Sequence, residues 1–249
     1  GRDLGTEYTL DLLAKYQLND DDMFRAFDYC RERGLVPMCT PYDLVTLGKL
    51  EKYGMPAYKI ASADLTNDQL LESVCATGKP IICSTGMSHE NEIRHAVGVL
   101  RNNGAAFILL HCNSTYPAPF KDIQLNYMQR LREIGDCFIG YSGHERGIAV
   151  SVSAVALGAK VIEKHFTLDR NMEGRDHQIS LLPDEFAEMV EGIREVEVSL
   201  GSAENERDMS QGELINRETL AKSLVVNQDL KAGEIIESRM IDVRSPGIG

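Results

Sequence analysis

A chain of 249 residues with 43% hydrophobic and 26% charged content is long enough for one large domain, or one domain plus a small appendage, and for a sizeable core. Its net charge of −12, with no long run of Lys or Arg, argues against nucleic acid or a membrane surface as a partner. It leaves room for a small anion, which needs only a few local cations and backbone N–H groups.

Residues 6 to 33 predict a helical hairpin, its second limb capped by Asn19, carrying Met23, Phe24, Phe27 and Cys30 on one face and stopping at Gly34. Beyond it, short apolar strands are predicted at 35–41, 57–62, 80–86, 106–112, 137–143 and 160–166. Helices are predicted between them at 43–54, 66–78, 88–104, 122–135 and 146–158, and a last amphipathic helix at 184–200. This alternation means right-handed βαβ units and a parallel sheet. Six units are countable, two short of a (β/α)8 TIM barrel, so the expectation is an α/β barrel lacking its first two strands. Thr40, Ser62, Ser84, Ser114, Ser142 and His165 fall at the C-terminal ends of successive strands, as if each unit gives one polar group to a shared mouth. A doubly wound sheet would gather them at its switch point, and neither GxGxxG nor a P-loop is present.

After Gly201 the composition changes. Residues 202–218 are polar and aperiodic and read as a linker with room for some helix, and 219–249 read as the start of a small β-rich domain. Within it a strand is expected at 223–226 and a turn at Lys231–Glu234. About 30 residues cannot bury a core alone. The expected domain limits are therefore 1–201, 202–218 and 219–249. The cysteines, Cys30, Cys39, Cys75, Cys83, Cys112 and Cys137, lack CxxC pairing and read as free thiols of a reducing cytoplasm. No apolar run approaches the roughly 20 residues of a membrane span, and the start, Gly1-Arg2-Asp3 without Met, reads as the loss of something upstream.

The polar groups suggest chemistry. His144 and His165 close consecutive strands, and in a parallel α/β sheet both ends open on one face, where the two imidazoles could meet on one metal ion. A single histidine at a strand end is more often a hydrogen-bonded structural residue than a ligand. Two of them, with Ser142 beside the first, bring the readings level. Lys59 lies inside a strand run, where its ammonium has to find an anion or reach the mouth. Ser62, Ser84, Thr85 and Ser142 add hydroxyls, and Gly86 lets backbone N–H groups approach an anion. His89 and His95 are expected in solvent, and His111 is expected to be a satisfied interior residue. His177, beside Asp176, is left open between the mouth and the surface.

The runs TPYD (40–43), KIASADLTN (59–67), STGMS (84–88), LHCNSTYPAP (110–119), GYSGHERG (140–147), EKHFTLD (163–169) and RDH (175–177), with the tail KSLVVNQDLKAGEII, resemble the sialic acid synthase family over essentially the whole chain. The resemblance implies a cytoplasmic transferase that condenses phosphoenolpyruvate with an N-acetylmannosamine-type sugar to give N-acetylneuraminate. It implies that His144 and His165 bind a divalent ion, Mn2+ or Mg2+, and that Thr40, Lys59, Ser62, Ser84 and Ser142 hold phosphoenolpyruvate, with Ser114 beside them. Asp64, Tyr116 and Asp176 would bind the sugar or order the site around it. It further implies a domain-swapped homodimer whose antifreeze-like (SAF) domain, begun here by 219–249, closes the partner's site with an arginine that no position of this sequence matches.

The chain departs from the family pattern in three ways. The two preceding strands, with their glutamate and KFQ-type lysine, have no counterpart here. Gly143 stands where many relatives have Asp, which marks a subgroup with the YSGHE form, and the tail stops before the antifreeze-like domain should end. Three competing readings follow: a synthase for a 2,4-diacetamido sugar leading to legionaminic acid, an inactive truncated barrel acting as a binding module, and a metal-dependent phosphatase, against which the two histidines argue.

Overall fold

The apolar runs between residues 58 and 164 pair into one parallel sheet in consecutive order: β1 (Tyr58–Ile60), β2 (Ile81–Ser84), β3 (Phe107–Cys112), β4 (Ile139–Gly143) and β5 (Val161–Lys164). These elements come from a computed structural model that describes residues 11, 14–174, 176–202 and 206–245. The helices are α1 (Asp20–Glu32), α2 (Leu44–Tyr53), α3 (Asp68–Cys75), α4 (Glu90–Asn102), α5 (Phe120–Ile123), α6 (Tyr127–Gly135), α7 (Ala149–Ala156), α8 (Pro183–Leu200) and α9 (Gln211–Leu220). A strand order without reversal makes a half-barrel, not a doubly wound sheet with a switch point.

Register decides what each face carries. The pairs Ile60↔Cys83↔Leu109↔Ile139 run straight across four strands. With Tyr58, Ile81 and Tyr141 these residues form the sheet's contribution to the core, packed with Leu50, Leu71, Val74, Val97 and Leu131 from the helices. Successive side chains alternate between faces, so the residues between them, Lys59, Ser84, Cys112, Ser142 and Glu163, belong to the opposite face.

The strand expected at 35–41 is reduced to one parallel bridge, Cys39 to Tyr58. Pro37 and Pro41 each lack the N–H a ladder needs, which leaves Cys39 alone able to pair. The strand expected at 160–166 ends at Lys164, and Phe166 instead bridges Leu181. The helix expected at 122–135 divides into α5 and α6 at Gln124, whose φ is +49°. Asn19 caps α1 as expected, its side chain accepting from Asp22 N at 2.9 Å, while the first limb of the hairpin lies largely outside the described residues.

The chain divides into two units, Gly1–Leu200 and Gly201–Gly249. In the second, α9 occupies much of the segment expected as linker, started by a capping box in which Glu213 N donates to Ser210 Oγ and Ser210 N to Glu213 Oε2. Its β6 (Ser223–Val226) pairs antiparallel with β7 (Ile241–Arg244), and a turn closes from Glu234 N to Lys231 O at 3.0 Å. The antifreeze-like fold expected of this unit is not evident from one hairpin and one helix. Among the described residues no helix is long and apolar enough to cross a membrane.

Leu109 is fully buried on the helix-covered face. Leu109→Ala is expected to cost about 2–5 kcal/mol in urea unfolding, through lost burial plus the cavity left behind.

Candidate active site

The uncovered face of the sheet gathers polar groups at the C-terminal ends of its strands. Cys112, Ser142 and Glu163 stand on one rung across β3, β4 and β5. Ser142 Oγ donates to Glu163 Oε1 at 2.7 Å, and Glu163 Oε2 lies 3.7 Å from Lys59 Nζ. The Lys59 ammonium, on a residue 7% exposed, also donates to Ile60 O at 2.9 Å. The sequence asked for an anion near Lys59, and Glu163 supplies one. Ser84 Oγ is buried without a hydrogen-bond partner, a condition that costs roughly 1–3 kcal/mol unless a ligand fills it.

Gly86 N donates to Ser62 Oγ at 3.1 Å. A Cβ at Gly86 would overlap Ser114 Oγ and stand 2.8 Å from Ser62 Oγ and 3.1 Å from Cys112 Sγ. Only glycine lets these three side chains converge there. Ser114 Oγ is 3.9 Å from Cys112 Sγ.

The two histidines meet. His144 and His165 continue the β4–β5 pairing beyond its last rung, Gly143↔Lys164, and their ring centroids are 5.2 Å apart at 72°. His144 Nδ1 donates to Asn113 O at 2.7 Å, which fixes the tautomer and leaves the Nε2 lone pair free for an ion. Burial works to lower the His144 pKa, but the Cys112 thiol, 3.7 Å from Nδ1, and the Asn113 carbonyl outweigh it and hold the imidazole above its ordinary value. His165 is held below its ordinary value, because burial outweighs the pull of Asp176, whose Oδ2 is 3.8 Å from Nδ1. Burial pushes the Cys112 thiol up, and His144 more than reverses it.

Tyr116 walls the pair, stacked on His144 at 4.1 Å and edge-on to His165 at 5.7 Å. Burial, followed by the charges of Cys112, Asp176, Tyr42 and Glu163, pushes its phenol up to about 12, so it stays an O–H donor near neutrality. Tyr42 is largely exposed, and partial desolvation together with the nearby charges of Asp64, Cys39, Glu163 and Asp176 raises its phenol. Asp64 sits in a short 3-10 turn, accepting from Asn67 Nδ2 at 3.3 Å, and Asp176 is exposed at the start of another. Thr40 is half-buried beside the Cys39 bridge.

Of the other histidines, His111 is buried and bonded to Ile123 O at 2.6 Å, and His89 is exposed. His95 is exposed and pairs with Asp68, and His177 bonds to Thr167 Oγ1 at 2.7 Å. Sequence reasoning missed Glu163, Cys112, Tyr42 and Asn113. Two-residue alternation would have found Glu163, since it shares a face with His165 as Ser142 does with His144. Among the described residues no group of three or more His, Cys, Asp or Glu is gathered to hold a metal.

A sequence profile of the NeuB family matches residues 2–205. An uncharacterized protein of Methanocaldococcus jannaschii is 45% identical over 96% of this chain and 71% of its own. N,N'-diacetyllegionaminic acid synthase of Campylobacter jejuni is 38% identical over 98% of this chain and 73% of its own. The crystal structure of the N-acetylneuraminic acid (sialic acid) synthetase of Leptospira borgpetersenii superposes with a TM-score of 0.79, at 33% identity, over 86% of this chain and 75% of that one.

In protein free of metal, His144 is expected to titrate above the ordinary imidazole value of about 6.5 and His165 below it, read from side-chain 15N shifts. The raised His144 stabilises the fold at low pH and loses that contribution as pH rises through its folded value, whereas the depressed His165 works against the fold at low pH. The reverse order of midpoints would contradict the contacts of His144 with Cys112 and Asn113.

Proposed function

Because the chain belongs to the NeuB family, we propose that it condenses phosphoenolpyruvate with N-acetylmannosamine to give N-acetylneuraminate and phosphate. The observation that carries this reading is one face that brings together a buried ammonium, an unpartnered buried hydroxyl and a histidine pair. A second reading, with a 2,4-diacetamido sugar as acceptor, is favoured by the likeness to the Campylobacter legionaminic acid synthase.

Lys59 provides the fixed positive charge for phosphoenolpyruvate, and Ser84 Oγ provides a donor with no competing bond. Ser62 Oγ accepts from Gly86 N and lies beside the Cys112 thiol, so an anion there would share its proton with the sulfur. Ser142, Ser114 and Thr40 complete the set of hydroxyls around the phosphate and carboxylate. Asp64, Tyr116 and Asp176 face the acceptor sugar, with the neutral Tyr116 phenol donating to it. The reaction joins C3 of the enol to the sugar's aldehyde carbon. Water adds to C2, and phosphate leaves with cleavage of its C–O bond. Positive potential near both oxygens lowers the barrier, and holding the two substrates in register makes the step effectively unimolecular.

His144 and His165 fit a divalent ion, since His144 Nδ1 is already committed to Asn113 and two imidazoles leave the remaining positions to water and substrate oxygens. Mg2+ is a hard cation that keeps oxygen ligands and waters, so of the two ions an imidazole pair favours Mn2+. When bound, the ion would supply Lewis-acid polarisation of the sugar aldehyde. We read 1–201 as the synthase domain, 202–218 as its link and 219–249 as part of an antifreeze-like domain in a cytoplasmic homodimer.

Phosphate release from phosphoenolpyruvate is expected to require both a sugar and Mn2+. No release with either N-acetylmannosamine or the diacetamido sugar would leave the binding-module reading. His144→Ala or His165→Ala is expected to abolish metal-dependent turnover with the circular dichroism spectrum unchanged. Lys59→Ala is expected to raise KM for phosphoenolpyruvate at least tenfold, an effect of about 1.4 kcal/mol, before KM for the sugar moves.

A further inference from the structure

Behind the histidine pair, on the helix-covered side of the same two strands, lies a buried ionic group that the proposed chemistry does not touch. Lys164 Nζ is 2.7 Å from Glu145 Oε1 and also donates to Glu145 O, with the two side chains 0% and 1% exposed. Tyr141 OH donates to Glu145 Oε2 at 2.6 Å. Burial pulls the Lys164 ammonium below its ordinary pKa and pushes the Tyr141 phenol above its own, the latter reinforced by Glu145. Such a pair is expensive to desolvate, and an apolar pair of similar volume is often as stable, so stability alone does not account for it.

Its position in the chain gives another account. Glu145 follows His144 and Lys164 precedes His165, so the ion pair bonds the neighbours of the two imidazoles across the last rung of β4 and β5. Beyond Gly143 the backbone leaves the strand ladder, and the bonds of Lys164 to both the carboxylate and the carbonyl of Glu145 hold the chain there at the level of β5. Gly143 belongs to the same device. A Cβ on it would stand 2.9 Å from both Glu145 carboxylate oxygens and 2.9 Å from Tyr141 Cε1, so the carboxylate occupies the space a side chain at 143 would need.

We propose that Tyr141, Glu145 and Lys164 are positioning residues that fix the separation of His144 and His165, with Gly143 making room for them. The proposal rests on the reading of that pair as a metal site. Removing the charges together is expected to leave a folded protein whose histidines no longer hold one spacing. Groups that orient metal ligands from behind typically change metal affinity by about 10–100-fold when altered.

The test is a titration of the full chain with Mn2+ alone, followed by the EPR signal of the free ion, on wild type, His144→Ala and the double variant Glu145→Gln with Lys164→Met. Thermal midpoints are recorded alongside. The expected result is Mn2+ binding by wild type that is lost in His144→Ala, and a Kd raised about tenfold or more in a double variant whose midpoint stays within a few degrees. Wild-type affinity in the folded double variant would overturn the positioning role while leaving the metal site standing. Equal Mn2+ uptake by wild type and His144→Ala would remove the metal reading and this proposal with it. Should the double variant not fold, Tyr141→Phe decides, since it deletes one hydroxyl from the same carboxylate: a Kd raised about threefold supports the role, and an unchanged Kd overturns it.

Discussion

The pairing of β4 with β5 in a single register is the constraint on which the site depends. Ser142↔Glu163 and Gly143↔Lys164 are consecutive rungs, and because side chains alternate, the first faces the uncovered side of the sheet and the second the helices. The next residues out, His144 and His165, inherit the uncovered side. A slip of one residue would bring Lys164 to the mouth and carry His165 toward the core. The buried bonds of Lys164 to Glu145 resist that slip, as does Tyr141, which the core covers almost completely.

Charge distribution is compatible with the anion site proposed for this acidic chain. The net −12 is spread mostly over exposed carboxylates, whereas the Lys59 ammonium is nearly buried, donating to Ile60 O and lying near the Glu163 carboxylate and the Cys83 thiol. At 3.7 Å the second of these is a loose ion pair, and Glu163 is held from its other oxygen by Ser142. A bound phosphate or carboxylate can therefore share Lys59 without breaking a tight bond. The unpartnered Ser84 hydroxyl, one strand away on the same face, would gain a partner from such an anion.

The strand ends were the most legible part of the sequence. Ser84, Ser142, His144 and His165 could be placed because a parallel strand opens its C-terminal end onto a shared face, and Lys59 because an ammonium inside a strand needs an anion. Glu163 and Cys112 escaped because they stand inside strands, where an apolar run was the signal being read and the parity of each position was not. The strand at 35–41 was overread because its hydrophobicity was weighed without its two prolines. The helix α9 carries its start signal openly in Ser210 and Glu213, yet its polar surface gave no periodicity to support it. Asn113 and the Glu145–Lys164 pair were out of reach, because backbone acceptors and contacts between separate strands leave no local pattern.

Two imidazoles are few ligands for a divalent ion, and the described residues offer no third. If the pair holds an ion as proposed, the separation of the two rings is the quantity that the protein itself must set. That separation is bounded on every side that the structure shows. Asn113 O fixes the tilt of His144, Tyr116 stacks on its ring and meets His165 edge-on, and Asp176 stands beyond His165. Behind the rings the backbone is tied by the one fully buried ion pair described in this half-barrel. A fold that spends buried charge at that point is better understood as setting a distance than as adding stability.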